Sequence, residues 1–181
     1  LDRAVLGIKS LTDNTLAKRS FCIVGEDNHV PFMRRAARLG IQDKVMFLSG
    51  RDDIPQLMQA ADILLHPALD ENAGIVLLEA IVAGLPVLAT DICGYGHYVV
   101  EADVGALVSS PFNQTELNQK LLLLMQSDRR EEWQRKGRRF AQTANIYSLP
   151  QEAGRIIESF FGRGQSSAKL GTLAFALFKY F

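Results

Sequence analysis

Apolar residues follow two rhythms along this chain, and the rhythms alternate. Short unbroken runs read as strands at residues 20–25 (SFCIVG), 44–48 (KVMFL), 63–65 (ILL), 86–89 (PVLA) and 105–108 (GALV). Continuous apolar character of this kind suits central parallel strands, which are buried on both faces. Helical spacing fills the intervals. Residues 31–39 carry Pro31 in the first turn and Gly40 past the end, 54–60 form a short helix, and 74–82 are closed by Gly84. Residues 1–12 place Ala4, Val5, Ile8 and Leu11 on one helical face. Beyond residue 113 the pattern is helical throughout, at 114–126, 129–143 and 148–161, where Ser148 caps and Pro150 lies in the first turn.

Strand–helix alternation with short connections predicts an α/β fold, a Rossmann-like doubly wound parallel sheet followed by C-terminal helices. Ligands of such folds sit beyond the C-terminal ends of the strands. The loops at 25–27, 49–51, 67–73 and 90–96 are therefore expected on one edge. The expected organisation is one domain over 1–161, a linker over 162–169 (GRGQSSAK) and an apolar tail over 170–181, either a strand or an anchor. Because Leu1 already stands inside a helical pattern, the expectation is a piece of a longer protein.

Composition narrows the function. Charged residues make up 22% and the formal net charge is zero, so a broad basic face for nucleic acid is not expected. Cys22 and Cys93 do not form a disulfide framework or a metal-binding spacing, and a cytoplasmic setting is the default. No apolar run reaches the ~20 residues of a membrane-spanning helix.

The richest candidate site is 69–80 (LDENAGIVLLEA), a short acidic loop opening into a helix. Glu71 and Glu79 stand eight positions apart. On one helix their backbones would be roughly 12 Å apart. That exceeds the ~5–9.5 Å between a glycosidase's two carboxyl groups. It fits one extended ligand gripped at two points, hexose hydroxyls at Glu71 and ribose hydroxyls at Glu79, although a solvated loop carboxylate and an ordinary helix glutamate are equally consistent with the pair alone. Asn72, Ala73 and Gly74 would turn backbone N–H groups toward a diphosphate at the helix N-terminus, and Gly74 permits close approach. The loop 90–98 (TDICGYGHY) adds Gly94, where turn geometry is the plain alternative, and His97, which could donate to a phosphate or hydroxyl or be an ordinary loop histidine. Ser49, Gly50 and Arg51 close a strand, and Arg51 could stack on a base, pair with a phosphate, or be a surface arginine beside Asp52 and Asp53. His66 reads as a hydrogen-bonded edge residue and His29 as surface. The mixed-sign run 129–139 reads as a solvated helix face. No Ser/His/Asp or Cys/His nucleophile constellation is present.

The motifs SGR, ADILLHPA, E-x-A-G-I-V-L-L-E-A, AGLPVL, CGY-x-HY and YSLP resemble the C-terminal half of retaining GT-B glycosyltransferases of family 4. More narrowly, they resemble the glucosyltransferases of the lipopolysaccharide core. The likeness runs from about Leu1 to Ile157. It implies a UDP-glucose donor, an inner-core heptose acceptor bound by an N-terminal domain, and retention of configuration. It assigns Glu71 to the donor sugar and Glu79 to the ribose. It gives the backbone of Asn72, Ala73, Gly74 and Ile75 to the sugar and distal phosphate, and places Ser49 to Arg51 at the base. No metal or other cofactor is implied, because the helix dipole and basic side chains would neutralise the leaving diphosphate. The family's Arg/Lys pair on the diphosphate would fall upstream of Leu1, and the tail resembles the first strand of the family's N-terminal domain. The whole protein would work at the cytoplasmic face of the inner membrane, whereas this stretch alone would be inactive. The alternatives are a non-catalytic UDP-sugar-binding module and another GT-B enzyme such as a sugar-nucleotide epimerase.

Overall fold

The computed structural model describes residues 1–13 and 20–146, together with Arg155. The chain divides into a compact unit, Leu1–Ala144, and a second unit, Asn145–Phe181. The expected helix at 148–161, the linker at 162–169 and the tail at 170–181 lie outside the described residues, save Arg155.

Thirteen elements are found among the described residues of the first unit. They are α1 (Asp2–Asp13), β1 (Phe21–Val24), α2 (Val30–Arg38), a 3-10 turn (Gln42–Lys44), β2 (Val45–Leu48), α3 (Ile54–Ala60), β3 (Leu64–His66), α4 (Ile75–Ala83), β4 (Val87–Thr90), α5 (Gly96–Glu101), β5 (Gly105–Val108), α6 (Gln114–Gln126) and α7 (Arg130–Thr143). All strand pairs are parallel, as expected. They hydrogen-bond as two groups, β1 with β2, and β3–β4–β5 with β4 in the middle.

Local chemistry sets the element ends. Asn113 caps α6 through its side-chain oxygen, which accepts the N–H of Thr115 at 2.8 Å and of Glu116 at 3.3 Å. Helix α4 ends at Gly84, whose φ of 77° places it in the left-handed region, and the N–H of Leu85 returns to the carbonyl of Ala80.

Strand β4 lies between two cores. Val87 and Ala89 join Leu77, Ala80 and Ile81 of α4 and Trp133 of α7. Leu88 faces the opposite side, toward Leu11 of α1 and Leu117 and Leu121 of α6. Alternation along an extended strand sends neighbouring side chains to opposite faces, and here helices cover both. The β1–β2 pair differs. Phe21, Ile23, Val45 and Phe47 pack under α1 and α2, around Val5, Ile8, Ala36 and Ile41. Cys22, Val24 and Met46, on the other face, are exposed. The expectation that residues 20–25 form a strand buried on both faces is therefore corrected. An unbroken apolar run permits double burial, but helices cover only one face of this pair among the described residues.

Candidate functional site

Strand β3 ends at His66, and the chain turns through residues 67–74 before α4. This turn is pinned from several sides. The carbonyl of Ala68 accepts the Thr90 hydroxyl at 3.1 Å and an Arg3 guanidinium N–H at 2.5 Å. Thr90 is 2% exposed, so its hydroxyl needs the partner it has found. The carbonyl of Asn72 accepts the N–H of Gly94 at 3.1 Å, and that of Ala73 accepts the N–H of Tyr95 at 2.8 Å. Residues 72–73 and 94–95 are thus laced together backbone to backbone, and the Thr90 side chain ties residue 68 to the same loop. Gly94 is what permits it, because a Cβ there would stand 2.4 Å from the Asn72 oxygen.

Gly74 is not the first residue of the helix, as its sequence pattern suggests. It is the residue before α4, with φ 75° and ψ 52°. This left-handed conformation suits glycine and turns the chain sharply into the helix. Glu71 lies in the loop and Glu79 on α4, so the two carboxylates do not share a helix and the rise-based spacing does not apply to them. The first N–H groups of α4, at Ile75 and Val76, have no carbonyl within the helix to reach and point toward its N-terminus. Glu79 is exposed one turn beyond Ile75.

Glu71 is closely neighboured. Its Oε2 lies 3.2 Å from Nε2 of His66. A Cβ on Gly74 would be 3.5 Å from both the Glu71 Cγ and the Cys93 Cβ, so these three residues converge. The buried Cys93 thiol is pushed above the ordinary thiol range, first by burial and further by the charge of Glu71. It is therefore a neutral wall of the corner and not a nucleophile.

Among the residues singled out from sequence, Glu71, Asn72, Ala73, Gly74 and Gly94 come together in this corner, with Ile75 and Glu79 leading away along α4. His97 opens α5, and its Nδ1 lies 2.8 Å from the carbonyl of Gly94. A carbonyl only accepts, so Nδ1 carries the proton and Nε2 is turned elsewhere. Ser49, Gly50 and Arg51 follow β2, in the other strand group, and no hydrogen bond or ion pair among the described residues links them to the corner. Arg51 forks onto Asp53, with Nε to Oδ1 at 2.6 Å and Nη2 to Oδ2 at 2.7 Å. That contact holds the Asp53 carboxyl below its ordinary range. The pair is exposed, and exposed pairs contribute little, so a phosphate could displace Asp53 at small cost.

Sequence reasoning passed over Arg3 and Thr90 and read His66 as an edge residue. His66 and Thr90 each end an apolar run with a polar residue at a strand's C-terminal end, which is a usable signal. Arg3 has none, because its contact is 65 positions away.

A parallel α/β unit with a laced loop pair and a helix N-terminus beyond its strand ends has the architecture of the doubly wound α/β class. The chain belongs to the glycosyl transferases of group 1, whose family model matches residues 1–140. Over 158 residues it is 46% identical to the lipopolysaccharide glucosyltransferase WaaG of Escherichia coli K12, covering 87% of this chain and 42% of that protein. A crystal structure of WaaG, a glycosyltransferase involved in lipopolysaccharide biosynthesis, matches with a TM-score of 0.80 over 86% of this chain and 42% of that one. The Anabaena protein HepE in complex with UDP matches at 25% identity and a TM-score of 0.68, over 85% of this chain and 44% of that one. The fold is accordingly that of GT-B glycosyltransferases close to WaaG, and the chain spans under half the length of these relatives.

Proposed function

We propose that this chain is the donor-binding part of a retaining family 4 glycosyltransferase that moves glucose from UDP-glucose to a heptose of the lipopolysaccharide inner core. The observation that carries the reading is the placement of Glu71 in a pinned loop immediately before the N-terminus of α4, with Glu79 one turn along the same helix. In this reading Glu71 accepts hydroxyls of the glucose. The first N–H groups of α4 meet the distal phosphate, where the helix dipole favours negative charge. Glu79 accepts the two ribose hydroxyls. Arg51 leaves Asp53 to meet the nucleotide, and His97 offers Nε2 to the ligand. No metal is invoked, since these dipoles and cations supply the electrostatic stabilisation of the leaving UDP. The acceptor would be bound by further sequence of the whole protein, acting at the cytoplasmic face of the inner membrane. The likeness to WaaG, a lipopolysaccharide glucosyltransferase, supports glucose as the transferred sugar and lipopolysaccharide as the acceptor class.

Calorimetric titration with UDP tests the reading. Wild type should bind, and Glu79→Ala should weaken UDP by roughly tenfold or more, the size expected for hydrogen bonds to a charged group. Equal binding by the two proteins would remove Glu79 from the ribose site, and no binding by either would remove the donor site itself.

A further inference from the structure

The His66–Glu71 contact joins a strand residue to a turn residue. His66 belongs to β3, where it is paired in register with Ala89 of the fully buried β4. Glu71 belongs to the turn. Their side chains remain 27% and 30% exposed, and an ion pair or hydrogen bond at that exposure adds little to folding. Stability therefore does not explain the contact. The carboxylate's chemistry does. An ionised carboxylate only accepts, so Nε2 of His66 bears the proton and donates it to Oε2. That bond fixes the rotation of the carboxylate and leaves Oε1 as the oxygen that His66 does not engage. Cys93 and Gly74 flank the Glu71 stem, so the carboxylate is constrained on the other side as well.

We propose that His66 is a positioning residue for sugar recognition. It holds Glu71 from a rigid strand so that one carboxylate oxygen faces the hexose hydroxyls of the donor, and it thereby sets the preference for a sugar nucleotide over the bare nucleotide. A carboxylate already oriented loses less freedom on binding than one that must be ordered by the ligand. This inference rests on the donor-binding reading above, in which Glu71 faces the sugar and Glu79 the ribose.

The test compares the affinities of UDP-glucose and UDP in the 181-residue chain. His66→Phe keeps a ring of similar size but removes the donor, and His66→Gln keeps an N–H donor. Wild type should bind UDP-glucose more tightly than UDP. His66→Phe should reduce that ratio by roughly tenfold, the loss expected for a hydrogen bond to a charged group, with UDP affinity changed less than about twofold. His66→Gln should retain part of the ratio. Glu71→Gln should lose it, and the double variant His66→Phe/Glu71→Gln should lose no more than Glu71→Gln alone, because the two act as one unit. A wild-type ratio in His66→Phe would overturn the positioning role, as would a parallel loss of UDP affinity, which marks a merely structural histidine. Absence of UDP binding to wild type would overturn the donor-binding reading, and this inference with it.

Discussion

The two strand groups of this molecule have similar apolar sequences and unlike surroundings. FCIV and VMFL in β1 and β2 are no less hydrophobic than VLAT and GALV in β4 and β5. Yet every residue of β4 is buried, whereas β1 alternates between half-buried and exposed positions. What separates them is the supply of helices. Helices α4 and α7 cover one face of β4, α1 and α6 cover the other, and among the described residues the β1–β2 pair has α1 and α2 on one side only. The convergent corner, with Glu71, Gly74 and Gly94, hangs from the doubly covered group. Ser49 to Arg51 hang from the other. The corner is thus built on strands that helices cover on both faces.

The sharpest way to break this comparison is to remove equal side-chain bulk from both groups. Leu88→Ala, at a position with no exposure between two cores, should cost about 3 kcal/mol in chemical denaturation. Met46→Ala, 48% exposed on β2, should cost less than about 0.5 kcal/mol. Similar losses would mean that the two groups are equally enclosed.

A smaller effect is expected from the glycines that follow the strands. Gly94→Ala drives a Cβ into the Asn72 carbonyl and should cost about 2 kcal/mol, with donor binding weakened alongside. Gly25→Ala, after β1, meets nothing within 4 Å and should be neutral or slightly stabilising. If Gly94→Ala melts like wild type and binds UDP-glucose normally, the two loops are not held together as described.

The mildest probe is chemical. Only the thiolate alkylates, and burial raises the Cys93 pKa, so Cys93 needs a higher pH to react. Exposed Cys22 should be modified by iodoacetamide at neutral pH at least roughly tenfold faster than Cys93, read by peptide mass spectrometry. Comparable rates would show the corner to be open.

The order and parallel sense of the elements are legible in the sequence, because short apolar runs bounded by glycine and spaced by helical patterns leave few other solutions. The corner is legible in outline for the same reason, since a strand end, an acidic turn and a helix start are contiguous in the chain. Three things are not legible. The exposure of Cys22, Val24 and Met46 depends on which helices arrive, and an apolar run says only that burial is tolerated. The His66–Glu71 contact depends on how residues 67–70 turn, and five positions in an irregular segment can meet or diverge. The role of Gly74 as the left-handed residue ahead of α4, and not its first residue, is a one-residue boundary that periodicity does not resolve.

The Ala68 carbonyl accepts two donors, and their origins give the corner a history in time. Thr90 lies 22 positions along the chain from Ala68, and Arg3 lies 65 positions from it. Closing the longer loop costs about 1 kcal/mol more in chain entropy. As the chain folds, the turn can therefore be fastened to β4 before the N-terminal helix arrives to fasten it again. The turn is thus fastened by one nearer contact from β4 and one long-range contact that α1 supplies.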